Sequence, residues 1–492
     1  MTCLSLSKWP RNLSGAALGL GLSASLWACS SNSEDPSVDD DDAAGSGGDM
    51  AGELGAGGDG VSSGGDSASG GNSPAGGGSA SGGSPASGGA APVDLGTPLD
   101  QRLEVFDVRL SGVVRNGSNK FSAVYPAVRP QGGLTLGWNE SDVGHLTRLN
   151  ADMGLEGVEW DFPGLMIVGA LGLPDDGVAL LVIDHTSAMT DHASVDRHLR
   201  LRILDANGVQ TRETSIVGGN GIGVPESWFA WNVSRSVAMV ANGDRFSIFT
   251  KISRHWLVES GVHVGDLYIE VDENGDLDQS TFDVWSASHS NRQHLVLGPE
   301  GEGLRLTVGD GNPFGVEYQV SEQYRDVVVW PHEDQIEAGY AGKSSTISAG
   351  DLCGFQYRNG RLFATIGTVR QQPYSLSQDF GDVVLLSWPV DVEQGDPITE
   401  TWLTDTPAIA ELCPTLTAFG SDHQLSVWGE RDGTTGTLAL LDGDGKLVGG
   451  PTASTAPFHK HSLVVSLPGG DVAWTYADAN VSTVQVVVAR TE

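Results

Sequence analysis

The sequence predicts an all-β domain built from one repeated unit, and three observations predict it. A glycine leading into alternating apolar residues recurs down the chain after residue 100. Apolar segments ending in Asx-Gly turns follow several of these copies at a similar offset. No long stretch keeps a 3.6-residue apolar period, and β-branched residues crowd the apolar positions, which disfavours helical repeats.

The first element appears as Gly133-Leu134-Thr135-Leu136-Gly137-Trp138 and as Gly177 to Val182, then as Gly243 leading into Phe246, Ile248 and Phe249. It returns as Gly303 to Val308 and as Gly360 leading into Leu362, Phe363 and Ile366. Leu425 to Trp428 and Gly470 to Trp474 complete seven copies. From Gly133 to Gly470 the six intervals average about 56 residues, and the 400 residues from Val93 divided by seven give about 57, so the repeats fill the domain. The second element is Leu201 to Leu204 before Asp205 to Gly208, Leu267 to Val271 before Asp272 to Gly275, and Leu438 to Leu441 before Asp442 to Gly445. Its Asx-Gly pairs supply the positive φ angles that tight hairpins need. A weaker copy spans Leu146 to Gly154, and Trp160, Trp285 and Trp402 recur beyond the turns, as expected for bulky residues wedged between neighbouring sheets.

Short strands, hairpin turns and a period in the fifties describe blades arranged around an axis, here a seven-bladed β-propeller of four-stranded antiparallel blades over 93–492. A pair of β-sandwiches would also supply many strands, but it would not naturally repeat one motif seven times. The last copy is followed by a valine-rich strand, Thr483 to Arg490, and the chain then stops one strand short. Leu103 to Leu110 alternates apolar and polar residues, so this N-terminal strand is expected to complete the final blade and remove an exposed sheet edge.

Cys353 and Cys413 each follow a leucine and precede a strand motif by a similar distance, which gives them matching places in adjacent blades. In an oxidising compartment they are a candidate disulfide, and two buried thiols are the alternative. Geometry decides, because Cα atoms more than about 7 Å apart cannot be bridged.

The first 92 residues are of another kind. Lys8 and Arg11 precede an uncharged stretch, Leu13 to Leu26, that is too short to span a bilayer comfortably and reads as the core of a signal peptide over 1–28. Leu26-Trp27-Ala28-Cys29 follows. It resembles the lipobox of bacterial lipoproteins, with Leu26, Ala28 and Cys29 matching and Trp27 standing where a small residue is usual. The resemblance implies cleavage between Ala28 and Cys29, lipidation of Cys29 and attachment to a membrane through that lipid. Ser30 stands where an inner-membrane retention signal would place Asp, so the resemblance implies the outer membrane, facing the periplasm or the exterior.

Residues 30–92 hold ten acidic residues and no Lys or Arg, and 43–92 hold 19 glycines. Such a segment cannot bury enough apolar surface to offset its ordering entropy, so a disordered tether over 29–92 is expected. Its root-mean-square reach would be about 40–50 Å. Lipobox, acidic run and Gly/Ser/Ala tether together resemble cell-envelope lipoproteins of large-genome Gram-negative bacteria such as myxobacteria.

The chain carries a net charge of −36, and from Val93 onward 53 acidic residues face 25 basic ones. This excludes nucleic acid as a partner, since phosphate binding needs clustered Lys and Arg. Three groups are candidates for chemistry. His185, Asp191, His192 and His198 lack the tight spacing of common zinc motifs and read as a polar loop. Asp272, Asn274, Asp276 and Asp278 begin like a calcium loop, but Leu277 replaces the expected glycine and no glutamate closes the set, so a hairpin turn explains them better. Asp442 and Asp444 read the same way. Trp228, Phe229 and Trp231 could stack on sugars or peptides, although core packing accounts for them equally well. No catalytic residue, metal site or cofactor is assigned. The expected function is a monomeric, non-catalytic binding or scaffold module for protein or polysaccharide. The alternative is an envelope hydrolase or lyase acting on glycans or peptides at the channel mouth.

Overall fold

A computed structural model describes residues 92–114, 124–141, 143–184, 198–217, 228–230, 237–255, 262–285, 293–310, 314–320, 325–330, 351–368, 381–393, 395–406, 409, 411–430, 433–459, 462–478 and 481–492. Residues 1–91, where the signal segment, Cys29 and all but the last residue of the tether are expected, lie outside the described residues. After a 3-10 turn at Leu99–Arg102 the chain enters β1 (Leu103–Val114) and, apart from that turn, the described secondary structure is all strand.

Sheet 1 contains β2 (Val124–Val128), β3 (Leu134–Glu140), β4 (Val143–Leu149), β5 (Leu155–Pro163), β6 (Leu165–Gly172), β7 (Val178–Asp184), β8 (Leu199–Leu204) and β9 (Gln210–Val217). Sheet 2 contains β10 (Trp228–Ala230) and β11 (Val237–Asn242), both paired to β12 (Arg245–His255), then β13 (Val262–Val271) and β14 (Leu277–Trp285). Sheet 3 is β15 (His294–Leu297), β16 (Gly303–Asp310), β17 (Phe314–Val320) and β18 (Arg325–Trp330). Sheet 4 is β19 (Asp351–Arg358), β20 (Arg361–Thr368), β21 (Asp382–Pro389) and β22 (Thr399–Trp402). Sheet 5 is β23 (Glu411–Phe419), β24 (His423–Glu430), β25 (Thr435–Asp442) and β26 (Leu447–Pro457). Sheet 6 is β27 (Val464–Ser466), β28 (Val472–Tyr476) and β29 (Val481–Ala489), completed by β1.

The fold is all-β and propeller-like, with four-stranded antiparallel blades. Its hydrogen-bonded sheets among the described residues differ from the seven equal ones expected. Four are four-stranded, one is five-stranded and one is eight-stranded. The physical reason for the large sheet is local: one parallel bridge, Val143 to Leu165, ties β4 to β6 across an otherwise antiparallel arrangement. In sheet 2 β10 and β11 both pair with β12, β10 with Ile252 to Arg254 and β11 with Arg245 to Thr250.

Leading strands meet one another in a ring. β2 contacts β6, β6 contacts β11, β11 contacts β15, β15 contacts β19, β19 contacts β23, β23 contacts β27, and β27 returns to β2. Such a ring puts the turns from first to second and from third to fourth strand on one rim. The remaining connections fall on the other.

The first rim is closed by short turns of one design. Asp205 Oδ1 accepts the Asn207 and Val209 backbone N–H groups at 2.8 and 2.9 Å, and Asp272 Oδ1 accepts those of Asn274 and Asp276, both at 2.9 Å. Asp442 Oδ1 accepts those of Asp444 and Lys446 at 3.0 and 2.9 Å. Gly208, Gly275 and Gly445 carry the positive φ that the expected Asx-Gly turns require. In the weaker copy Asn150 Oδ1 plays the aspartate's part toward Asp152 and Gly154, while Met153 rather than a glycine holds the positive φ, at 60°.

The core lies in the seams. Leu304, Leu306 and Tyr318 of sheet 3 pack with Leu362, Val384 and Trp388 of sheet 4 in one buried cluster. Phe363 and Leu385 of sheet 4 pack with Trp428 and Leu441 of sheet 5 in another. Leu146 packs with Ile167 and Leu180, so the two halves of sheet 1 also meet across an apolar seam. Because middle strands are covered on both faces, β3, β7, β21 and β24 are buried almost continuously, whereas the outer β5 is largely exposed. Trp160 of β5 spans such a seam, donating from Nε1 to the Asn207 carbonyl at 3.0 Å. Trp402 packs against the cluster shared by sheets 3 and 4, and the side chain of Trp285 lies outside the described residues.

Closure is made by the chain ends. β1 pairs antiparallel with β29, Leu103 opposite Ala489 and Val108 opposite Val484. Val108, Leu110 and Val114 enter a cluster shared with Leu134, Leu136 and Trp138 of sheet 1. Buried Arg102 donates to the Thr97 carbonyl at 2.9 and 3.0 Å and to the Thr491 carbonyl at 3.1 Å, and its own carbonyl accepts the Arg490 N–H.

Candidate functional site

The seam between sheets 4 and 5 concentrates the buried polar chemistry. Cys353 of β19 and Cys413 of β23 are joined by a disulfide with Cα atoms 5.0 Å apart. Each cysteine lies where the register of its strand shifts, between Leu352 and Gly354 and between Leu412 and Thr415. Cys413 has a φ of 50°, so the bulge turns its side chain out of the regular alternation. The shared motif position read from the sequence thus becomes a shared bulge on two neighbouring first strands.

Two carboxylates are buried beside that staple. Asp382 opens β21 and Glu411 opens β23, with 1% and 5% of their surfaces exposed. The connection between β22 and β23 folds over them. Thr404 Oγ1 donates to a Glu411 carboxylate oxygen and lies 3.4 Å from Asp382 Oδ1, while the Thr406 N–H donates to Asp382 Oδ1 at 2.5 Å. Trp428 Nε1 donates to the other Glu411 oxygen at 3.1 Å. Burial pushes the Glu411 carboxyl above its ordinary value, the neighbouring Asp382 charge adds to that, and the Thr404 and Trp428 bonds partly offset it. Asp382 Oδ2 has no hydrogen-bond partner among the described residues. Burial here favours the protonated form of Glu411. Its cover of Thr404, Thr406 and Trp428 ties it to the seam.

The other candidate groups fall differently. His185, Asp191 and His192 lie outside the described residues; His198 is described, and its Nδ1 stands 3.7 Å from Asp184, which also takes Arg200 Nη2 at 2.6 Å. Asp272 is occupied by its own turn, whose backbone N–H bonds hold its carboxyl below the usual range. Asp442 is bound up in the same manner. Trp231 lies outside the described residues, as do the side chains of Trp228 and Phe229.

One grouping escaped the sequence reading altogether. His145 of β4 stands directly opposite Asp161 of β5, and Glu159 lies two residues before Asp161 on the same face of the strand. His145 Nδ1 is 2.7 Å from Asp161 Oδ1 and 4.0 Å from Glu159 Oε1. The only signal in the sequence was Glu-x-Asp in a strand that follows a histidine across a hairpin, which is too common to single out.

No family model matches the chain, and no curated protein matches it. Solved structures do. The WD40 domain of Toxoplasma gondii coronin is 10% identical, with 81% of this chain and 88% of that one covered at a TM-score of 0.43. The polysaccharide lyase Uly1 is 12% identical, with 78% and 100% covered at 0.45. An oligogalacturonate lyase in complex with manganese is 13% identical, with 80% and 96% covered at 0.39. The lyase chemistry and the manganese belong to those proteins.

Proposed function

We propose that the chain is a lipid-anchored envelope protein whose ring serves as a non-catalytic binding or scaffold module for protein or polysaccharide. The observation that carries this reading is the double fastening of the ring, by β1 on β29 and by the Cys353–Cys413 disulfide. A scaffold fixed at its ends and across a seam presents its rim connections on a rigid frame, which lowers the ordering cost of binding. Cys29, in the lipobox-like Leu26 to Cys29, is the site of lipidation after cleavage at Ala28. The segment 30–92 is the leash that holds the ring clear of the outer membrane.

We propose seven blades for this ring, a count supported by the circuit of first strands and by the apolar seam between the two halves of sheet 1, which one parallel bridge joins. With 53 acidic and 25 basic residues from Val93 onward, the surface favours basic proteins or uncharged glycans over anionic polymers.

The test is affinity capture from envelope extracts through a C-terminal tag, run beside a glycan panel assayed for turnover. Recovery of a partner that an untethered competitor ring displaces is the expected result. Turnover of a glycan with no partner recovered would establish the hydrolase or lyase alternative instead. Anchoring is tested separately: Cys29→Ser should abolish fatty-acid labelling and release the protein from membranes.

A further inference from the structure

We infer that His145, Glu159 and Asp161 form a binding site for a divalent metal ion of the zinc class, placed at the seam where the N-terminal strand closes the ring. One imidazole nitrogen and two carboxylate oxygens lie within 4.8 Å of one another. Around a tetrahedral ion with bonds of about 2.0–2.2 Å, neighbouring ligand atoms stand about 3.4 Å apart. The observed separations of 2.7 and 4.0 Å from Nδ1 bracket that value, so small rotations of the two carboxylates suffice.

The histidine is preorganised. It is 8% exposed, and its ring stacks on fully buried Trp138 with centroids 4.1 Å apart and planes 16° from parallel. It cannot swing away from the carboxylates without losing that contact. Its Nε2 is buried with no hydrogen-bond partner among the described residues, so the ring's only polar engagement is through Nδ1, toward the two acids. The carboxylates bring two negative charges and the ring at most one positive charge. Among the described residues no Lys or Arg pairs with Glu159 or Asp161, which leaves the cluster net negative.

Access is open on the carboxylate side. The Asp161 side chain is 63% exposed, leaving room for water or a further ligand to complete the coordination shell. Imidazole nitrogen favours zinc over calcium and magnesium, which take oxygen ligands in larger numbers. Lack of an acceptor for Nε2 forgoes the usual outer support of a metal-bound histidine, worth about 10- to 100-fold in affinity, so zinc should bind more weakly here than at a fully supported site.

Position gives the ion a structural consequence. Ser111 of β1 donates through Oγ to Glu159 Oε1, and the Val113 N–H of the same strand donates to Glu140 Oε1 at 3.2 Å. An ion that fixes Glu159 also fixes the acceptor on which β1 rests, and binding should therefore raise the melting temperature.

The experiment strips the purified protein with a chelator, titrates Zn²⁺ against a chromophoric competitor, and repeats the titration with Co²⁺, Ca²⁺ and Mg²⁺. The expected result is one zinc equivalent that is lost, or weakened at least tenfold, in both H145A and D161N, with a zinc-dependent rise in melting temperature in wild type only. Co²⁺ should give the visible absorption of a low-coordinate nitrogen–oxygen site. D161N changes an exposed side chain and keeps the test valid if H145A fails to fold. Zinc binding within twofold of wild type in D161N, or equal affinity for Ca²⁺ or Mg²⁺, would overturn the inference.

Discussion

Removing residues 93–115 should abolish cooperative folding, whereas removing residues 30–90 should leave it intact. The shorter deletion takes away five buried apolar side chains, Val93, Leu99, Val108, Leu110 and Val114, each less than a tenth exposed. At about 1.5–3 kcal/mol apiece, their burial contributes about 8–15 kcal/mol. That equals the whole net stability of an ordinary domain, about 5–15 kcal/mol. The deletion also opens β29 along its full length and removes Arg102, whose guanidinium binds the Thr97 and Thr491 carbonyls. Circular dichroism melts of the two truncated proteins and of full-length protein provide the comparison. L110A supplies a graded version, with an expected loss of about 2–5 kcal/mol in urea. If the protein lacking 93–115 melts at the same temperature as the one lacking 30–90, the closure argument fails.

Three further outcomes follow from particular residues. Cys353 and Cys413 close a loop of sequence separation 60, so C353S/C413S should lower unfolding free energy by about 4 kcal/mol on chain entropy alone, read as a lower urea midpoint. An unchanged midpoint, with no effect of reductant on wild type, would count against the bond. Glu411 holds its proton more tightly folded than unfolded, so its contribution is complete below the ordinary glutamate range and is lost as pH rises through the raised folded value. E411Q should flatten that decline above the ordinary glutamate range, and parallel profiles for the two proteins would refute it. A Cβ at Gly172 would run into the Val128 backbone carbonyl, which cannot rotate aside, so G172A should cost about 1–3 kcal/mol by the same urea assay.

Much of the fold was legible because its signals are local. Gly133 to Trp138 and Leu438 to Gly445 announce a strand and its turn from their own residues, since alternation and Asx-Gly chemistry act within a few positions. Met153 shows the edge of that legibility. It occupies a positive φ where the sister turns have glycine, held there because Asn150 accepts from both sides of the turn. The closing strand was legible from alternation and a missing partner. The eight-stranded sheet was not, because one bridge between Val143 and Leu165 depends on how two finished blades lie together.

The candidate sites show the same division more sharply. Spacing along the chain drew attention to Asp272 and Asp442, and both proved to be bound up in turns. His145 and Asp161 are sixteen residues apart and meet only because β4 and β5 pair in one register; a slip of one residue would turn Asp161 to the opposite face. Asp382 and Glu411 stand on different sheets and meet through the connection carrying Thr404 and Thr406.

Sequence by itself therefore determined the all-β class, the repeat and its turns, the strand that closes the ring, and the acidic balance of the chain. These depend on periodicity, backbone preference and net charge, which belong to each segment or to their sum. Only the tertiary structure decided which carboxylates lie buried together, where a histidine meets two acids, and how the sheets divide. Those properties arise between segments, from register and seam packing, and no residue carries them alone.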